Sequence, residues 1–255
     1  MELYVSQFLI FLMIFVRVMA LVVVAPMIGH MAVPIQVKVA IGLFVAFVMY
    51  PLASHEAAVV HTELIPLVLA VFKEAAVGLL IGFAAGLLFA GVRFAGELIA
   101  IDAGLSLAAL FDPESHAHAS VISESLYLLM LMVFVMVDGH HVLLEALQLS
   151  YVSVPMGSVA LNGELAEHLL KMVGMVFVVA VKLAAPVMVA MFLINVALSI
   201  LARVMPQMNL FAVLFPLKVG VGLLVLTTAL PLLVFVFKKL LAGFEESLFE
   251  LVKVL

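Results

Sequence analysis

The chain has 255 residues, of which 68% are hydrophobic and only 11% are charged, and its formal net charge is −5 at pH 7. Because soluble domains carry about 25% charged residues, this composition excludes a soluble globular protein and predicts an integral membrane protein. The 11 Lys and Arg residues are scattered, which argues against a nucleic-acid-binding surface, and the absence of cysteine excludes disulfides and thiolate sites.

Six apolar segments predict an all-α fold. They lie at approximately Phe8–Ile28, Val39–Ala53, Leu64–Val92, Val121–Val137, Met172–Ala202 and Phe211–Phe237. A membrane-spanning helix needs about 20 apolar residues, so the second and fourth segments are short, whereas the third, fifth and sixth could cross obliquely or break in two. Pro186 lies within the fifth segment and Pro216 and Pro231 lie within the sixth, which predicts kinked or broken helices and helical hairpins.

The chain is expected to form one membrane-embedded domain over residues 1–255, because it has no fixed-period repeat and no long linker. Residues 238–255 alternate apolar side chains with Glu and Lys. This pattern predicts a short amphipathic C-terminal helix that lies on the membrane or on a partner. Loop charges do not decide the orientation of the segments.

Five charged side chains interrupt the apolar segments: Arg17, Lys73, Glu74, Lys182 and Lys218. A charge at the centre of a membrane helix costs about 2.5 to 3.5 kcal/mol, so these side chains should face protein, water or one another. Arg17 and Glu74 are candidates for such a pair. Two interpretations remain open, buried ion pairs that fix helix register and charges that line a conduit.

Gly78, Gly82 and Gly86 recur at four-residue spacing in the third segment. This spacing puts three glycines on one face of a helix, where a second helix can approach closely. The three positions are therefore predicted helix-packing sites.

Histidines offer the main candidates for metal chemistry, as His116 with His118 and as His140 with His141 after Asp138. A closed zinc site usually needs four convergent ligands, and the chain has no H-E-x-x-H motif. No nucleophile elbow, phosphate-binding loop or dinucleotide fingerprint is present either. We therefore expect no metal, no cofactor and no enzymatic activity.

Short motifs occur along almost the whole chain in a characteristic order. They are "APMIG" at 25–29, "KEAAVGLLIGFAAG" at 73–86, "GELIAIDAGLS" at 96–106, "DGHH" at 138–141 and "RVMPQMNLFAVLFPLKVGVG" at 203–222. In order and spacing they resemble the FliR family of flagellar and other type III secretion export-gate proteins. The chain departs from that pattern at Asp102 and Ala103, where the family would have glutamine and methionine.

This resemblance implies a core component of the flagellar type III secretion export gate, located in the bacterial inner (cytoplasmic) membrane at the flagellar basal body. FliR-type proteins form with FliP and FliQ the channel through which unfolded flagellar proteins are exported, and FlhB docks on that gate. The resemblance also implies a pore plug loop at about 104–119. Its residues would be Gly104, Leu107, Leu110, Phe111, Asp112 and Pro113, whose small and apolar side chains could fill a narrow lumen.

A polar turn separates the fifth segment from the sixth. Arg203, Pro206, Gln207 and Asn209 lie there between strongly apolar stretches. Pro206 would end the preceding helix, and the two amides could bind the carbonyl groups left unpaired at that break. We interpret these residues as structural.

A secondary transporter with discontinuous helices is the alternative function, because it would also show glycine- and proline-interrupted segments and buried charges. Such a transporter should contain an internal repeat, and we find none. An intramembrane hydrolase would have to rely on the scattered serines and histidines.

Overall fold

The computed structural model describes residues 2–53, 63–105, 120–159, 162–204 and 210–255. Within these ranges the fold is all-α and contains no β-strand, which confirms the predicted fold class. The seven helices of the described residues are α1 (Glu2–Val24), α2 (Ile35–Met49), α3 (Leu64–Asp102), α4 (Val121–Met136), α5 (Gly139–Ser153), α6 (Gly163–Val204) and α7 (Leu210–Val254).

By length and composition, α1, α3, α6 and α7 can each cross a membrane. Helices α4 and α5 form a pair bent by 67° at a short break, and this pair can count as a fifth crossing. A fold with broken helices is thus confirmed, but the break lies at the α4–α5 junction and not within one of the three long segments. Helix α2 has 15 residues and is shorter than a full span.

The break between α4 and α5 lies at Asp138, whose backbone has a left-handed conformation with φ of 58°. Asp is among the few residues other than glycine that enter this region readily. Helix α5 then starts at Gly139. The six-segment reading missed α5, because its residues include His140, His141, Glu145 and Gln148 and therefore do not form a continuous apolar run.

The long helices continue through their prolines, since Pro186 lies inside α6 and Pro216 and Pro231 lie inside α7. The long fifth and sixth segments therefore do not split into two helices. Helix α3 also runs ten residues beyond the predicted end, to Asp102. It is followed by Gly104, which has φ of 79° and donates its backbone N–H to the Ile101 carbonyl at 3.0 Å, a common way to end a helix.

Residues 238–254 continue α7 instead of forming a separate short helix. Apolar side chains of this stretch are buried, including Phe244, Leu248, Leu251 and Val252. A His168 ring nitrogen also lies 3.0 Å from the Ser247 carbonyl oxygen. The apolar face of the tail is therefore covered by the chain itself, which corrects the expectation that it would lie on the membrane or on a partner.

The described chain falls into two units. The first comprises residues 1–88, 135–173 and 242–255, and the second comprises residues 89–134 and 174–241. In the second unit, the Phe89 ring makes edge contacts with Tyr127, Phe134 and Phe237 at centroid distances of 5.6, 5.4 and 6.1 Å. Such edge-to-face contacts stabilise an aromatic core beyond the burial of area alone.

In the first unit, α1 and α3 approach closely at two of the three spaced glycines. A Cβ atom at Gly78 would collide with the Arg17 carbonyl oxygen and would lie 2.8 Å from the Ala20 Cβ, whereas a Cβ at Gly82 would lie 3.0 Å from the Leu21 carbonyl oxygen. A Cβ atom at Gly86 would meet no other part of the described chain within 4 Å. The structure therefore supports close packing at Gly78 and Gly82, and the packing role of Gly86 stays a prediction.

We expect Gly78→Ala to destabilise the protein, because the new methyl group meets backbone and would force α1 and α3 apart at an overpacking cost of about 1 to 3 kcal/mol. Gly86→Ala is the matched control, since it adds the same group on the same helix in open space and gains helix propensity of up to about 1 kcal/mol. Thermal unfolding in detergent, followed by circular dichroism, should show a lower midpoint for the first variant only. Equal midpoints would contradict the packing.

Candidate functional site

A fully buried ion pair lies in the first unit between α1 and α3. Arg17 Nε donates to Glu74 Oε2 at 2.6 Å and Arg17 Nη2 donates to Glu74 Oε1 at 3.1 Å. The two side chains are 0% and 1% exposed. This bidentate geometry is the strongest form of an arginine–carboxylate interaction, so the two charges suggested as partners by the sequence do compensate each other.

The remaining guanidinium donors bind the end of α5. Arg17 Nη1 donates to the Ser150 carbonyl oxygen at 2.9 Å and to Ser150 Oγ at 3.0 Å, and Nη2 reaches the Val154 carbonyl oxygen at 3.3 Å. Two of these acceptors are carbonyl oxygens at the C-terminus of α5, where few intrahelical donors remain. The Ser150 carbonyl also accepts from the Val154 backbone N–H at 3.0 Å, so the guanidinium adds a second bond there and a side-chain donor for Val154.

Tyr151 adds a second link between α1 and α5. Its ring lies 4.4 Å from the Arg17 guanidinium carbon, in a cation–π contact. Its hydroxyl donates to the Ile14 carbonyl oxygen at 3.2 Å. The apolar face of the ring covers the guanidinium and helps to exclude lipid and water from it.

Glu74 extends the cluster to the segment after α5. Its Oε1 accepts a hydrogen bond from the Gly157 backbone N–H at 2.8 Å. The adjacent Lys73 donates from Nζ to the Gly157 carbonyl oxygen at 3.0 Å. Gly157 itself has φ of 77°, a left-handed conformation that is strained for most other residues.

The buried arginine cluster, comprising Arg17, Glu74, Ser150, Tyr151 and Gly157, therefore joins α1, α3, α5 and the segment that follows α5. The charges of Arg17 and Glu74 are paired, and the donors and acceptors of the cluster are directed at one another. This arrangement is suited to fixing the relative positions of helices. It offers no free nucleophile or general base.

Lys73 and Lys182 are exposed and Lys218 is half-buried, so the chain by itself encloses none of these three side chains. Their predicted place in an ion pair of the assembly or along a conduit stays a prediction. The Lys73 side chain points away from that of its neighbour Glu74, because successive side chains on an α-helix are rotated by about 100°. Within the described part of the chain, neither Lys182 nor Lys218 has a carboxylate within ion-pair distance. Both are therefore cations on helices that are otherwise strongly apolar.

A second charged group lies in the second unit and was not found from the sequence. Arg93 Nη2 lies 3.5 Å from Glu124 Oε2, and its guanidinium carbon is 4.1 Å from the Tyr127 ring centroid. Ser123 Oγ donates to the Arg93 carbonyl oxygen at 2.9 Å. The ion pair is 46% and 39% exposed, so it contributes much less than the buried pair.

The two positions that depart from the family pattern lie in the second unit. Asp102 Oδ1 accepts a long hydrogen bond of 3.4 Å from Asn195 Nδ2. Ala103 is 1% exposed, and a Cβ atom at Gly222 would lie 3.0 Å from the Ala103 Cβ. Ala103 therefore occupies a site where α3 and α7 pass closely.

Most of the predicted plug loop and polar turn lies outside the described residues. Leu107, Leu110, Phe111, Asp112 and Pro113 belong to the plug loop, and Pro206, Gln207 and Asn209 belong to the turn. Gly104 ends α3, as described above, and Arg203 is an exposed residue in the last turn of α6. Their roles in a plug and a turn remain predictions.

We expect Arg17→Met and Glu74→Met each to lower the free energy of unfolding by about 3 to 5 kcal/mol, because each leaves one buried charge without its partner. The double variant R17M/E74M should lose less than the sum of its single variants, since no charge then stays buried. Lys73→Met is the control and should change stability by less than about 0.5 kcal/mol. Unfolding in detergent measures the stability of all four variants. If the double variant lost the full sum of the two single losses, the coupling between Arg17 and Glu74 would be contradicted.

Comparison with known proteins places the chain in a family. Residues 8–244 match the family described as bacterial export proteins, family 1. The flagellar biosynthetic protein FliR of Bacillus subtilis (strain 168) is 33% identical over 85% of this chain and 84% of its own length. That of Escherichia coli (strain K12) is 32% identical over 92% of this chain and 86% of its own length.

A more distant relative, the flagellar biosynthetic protein FliR of Aquifex aeolicus (strain VF5), is 29% identical over 89% of this chain and 88% of its own length. The matches thus cover nearly the whole described fold, including every helix that contributes to the buried arginine cluster. The chain belongs to the bacterial export proteins of family 1, the family of the flagellar biosynthetic protein FliR.

Proposed function

We propose that the chain is a core component of the flagellar type III secretion export gate, and that it forms with FliP and FliQ the channel through which unfolded flagellar proteins are exported. Family membership and the apolar helices make it a membrane component of a flagellar export apparatus. The finer proposal adds the partners, the docking of FlhB, and a location in the bacterial inner membrane at the basal body.

The proposal depends chiefly on two apolar helices that the chain itself leaves largely uncovered. We compared the most apolar 18-residue window of each helix. In α3, 56% of this window is buried inside the chain, but the buried share is only 33% in α6 and 11% in α7. The bare surfaces of α6 and α7 must therefore face lipid or other proteins.

Lysines on these two helices favour protein over lipid. Lys182 on α6 and Lys218 on α7 have no ion-pair partner in the part of the chain that the structure describes, and both lie among apolar residues such as Val181 and Leu217. A lysine placed in lipid costs about 2.5 to 3.5 kcal/mol at mid-membrane. A carboxylate from a neighbouring subunit, or a water-filled conduit, removes that cost, and both are features of a multisubunit gate.

A passive conducting role is consistent with the chemistry of the described residues. The buried arginine cluster is internally paired, and the relatives are named as flagellar biosynthetic proteins and not as enzymes. The predicted plug loop, which includes Leu107, Leu110 and Phe111, would close the channel at rest. Energy for export would then come from a separate protein or from the proton-motive force.

Co-expression of a tagged copy with FliP and FliQ from the same genome, followed by detergent purification and native mass spectrometry, tests the proposed function. A stable complex that contains all three proteins is the expected result. A chain that purifies alone or only with itself would contradict the gate and would favour the transporter alternative.

Charge reversal by Lys182→Glu should reduce recovery of the FliP–FliQ complex severalfold, because the side chain would then repel a partner carboxylate. Lys171→Glu is the matched control, since Lys171 is also exposed on α6 but already binds Glu167 of its own helix at 2.8 Å. Neither variant should shift the unfolding midpoint of the isolated chain by more than a degree or two. Equal recovery of the complex with both variants would count against a partner contact at Lys182.

A further inference from the structure

Three potential metal ligands meet at the break between α4 and α5. Asp138, His140 and His141 each offer one ligand atom, and these atoms all lie within 4.8 Å of one another. All three residues belong to the first unit. The left-handed backbone of Asp138 turns its carboxylate back towards the histidines that follow, so His141 Nδ1 lies 3.3 Å from Asp138 Oδ1.

The two imidazoles lie side by side, with ring centroids 4.2 Å apart and planes inclined by 35°. His140 Nδ1 is buried and has no hydrogen-bond partner among the described residues. Leaving such a group unpaired costs about 1 to 3 kcal/mol. An exposed contact between a carboxylate and an imidazole, as between Asp138 and His141, is common without a metal, but it leaves the buried nitrogen of His140 unexplained.

Metal coordination at His140 Nδ1 would explain why this buried nitrogen has no hydrogen-bond partner among the described residues. Imidazole nitrogens together with a carboxylate suit zinc and neighbouring transition metals, whereas magnesium and calcium prefer oxygen ligands. Ligand bonds to zinc are about 2.0 to 2.2 Å long, so the ligand atoms must move inwards from their present spacing. The His141 and Asp138 side chains are 60% and 71% exposed and are free to make that movement.

We propose that Asp138, His140 and His141 bind one divalent transition-metal ion of the zinc class. His140 Nδ1 supplies the buried ligand, and His141 and Asp138 complete a three-residue set from the surface. Three protein ligands leave the fourth tetrahedral position for water or for a side chain of another protein. The ion would link the first residues of α5 to the break that precedes them.

Zinc chloride titrated into the full-length chain tests this site. The protein is purified in detergent with a tag that lacks histidine, stripped with EDTA, and followed by isothermal titration calorimetry and native mass spectrometry. Wild type should bind one zinc ion per chain. Asp138→Asn and H140A/H141A should each weaken this binding at least tenfold, and cobalt should give the visible absorption bands of tetrahedral coordination in wild type only.

Two variants control for adventitious binding by histidine. His30→Ala removes an exposed histidine of the first unit, and H116A/H118A removes the other sequence pair, which lies outside the described residues. Both should bind zinc as wild type does. D138N is expected to fold even if H140A/H141A does not, because asparagine also tolerates the left-handed backbone conformation at position 138. Zinc binding by D138N that equals wild type, or the absence of binding by wild type, would overturn the proposal.

Discussion

The buried arginine cluster is the constraint on which the first unit depends. An arginine and a glutamate that are each almost completely buried are stable only as partners, because an isolated ion in such a place costs several kcal/mol. Glu74 and Gly78 lie one turn apart on α3, and the glycine lets α1 come close enough for Arg17 to reach the carboxylate. The same guanidinium then fixes the end of α5 through the Ser150 and Val154 carbonyl oxygens. The Arg17 side chain therefore contributes to the packing of α1 on α3, to the capping of α5 and to charge compensation.

The lysines of α6 and α7 differ from the buried ion pair, and this difference bears on the function of the chain. Arg17 and Glu74 compensate each other inside the chain, whereas Lys182 and Lys218 stay without an ion pair in the residues that the structure describes. Two cations without ion pairs on bare apolar helices are the feature expected of a chain that other proteins cover, as we propose for this one. This contrast links the fold to the proposed export gate, in which α6 and α7 would be covered by neighbouring subunits.

The sequence predicted the fold class, the membrane character and the contact between Arg17 and Glu74. Hydrophobicity determines the first two, and the cost of a lone charge determines the third. It missed α5, because a helix with two histidines and a glutamate does not produce a continuous apolar run. It did not distinguish Lys73 from Glu74, although Lys73 is exposed in the chain and its neighbour Glu74 is buried. The backbone acceptors of Arg17 could not be foreseen, since every residue carries a carbonyl group and only the fold selects which ones lie beside the guanidinium.

Single-cysteine cross-linking at position 182 tests the central claim most directly, namely that the bare face of α6 is covered by another export protein. The chain has no cysteine of its own, so Lys182→Cys provides a unique attachment point for a short photoactivatable reagent in flagellated cells, with Lys171→Cys as the reference position. The account predicts a cross-linked product with FliP or FliQ at position 182 and much less at position 171. Lipid adducts alone at position 182, in cells that assemble flagella, would contradict it.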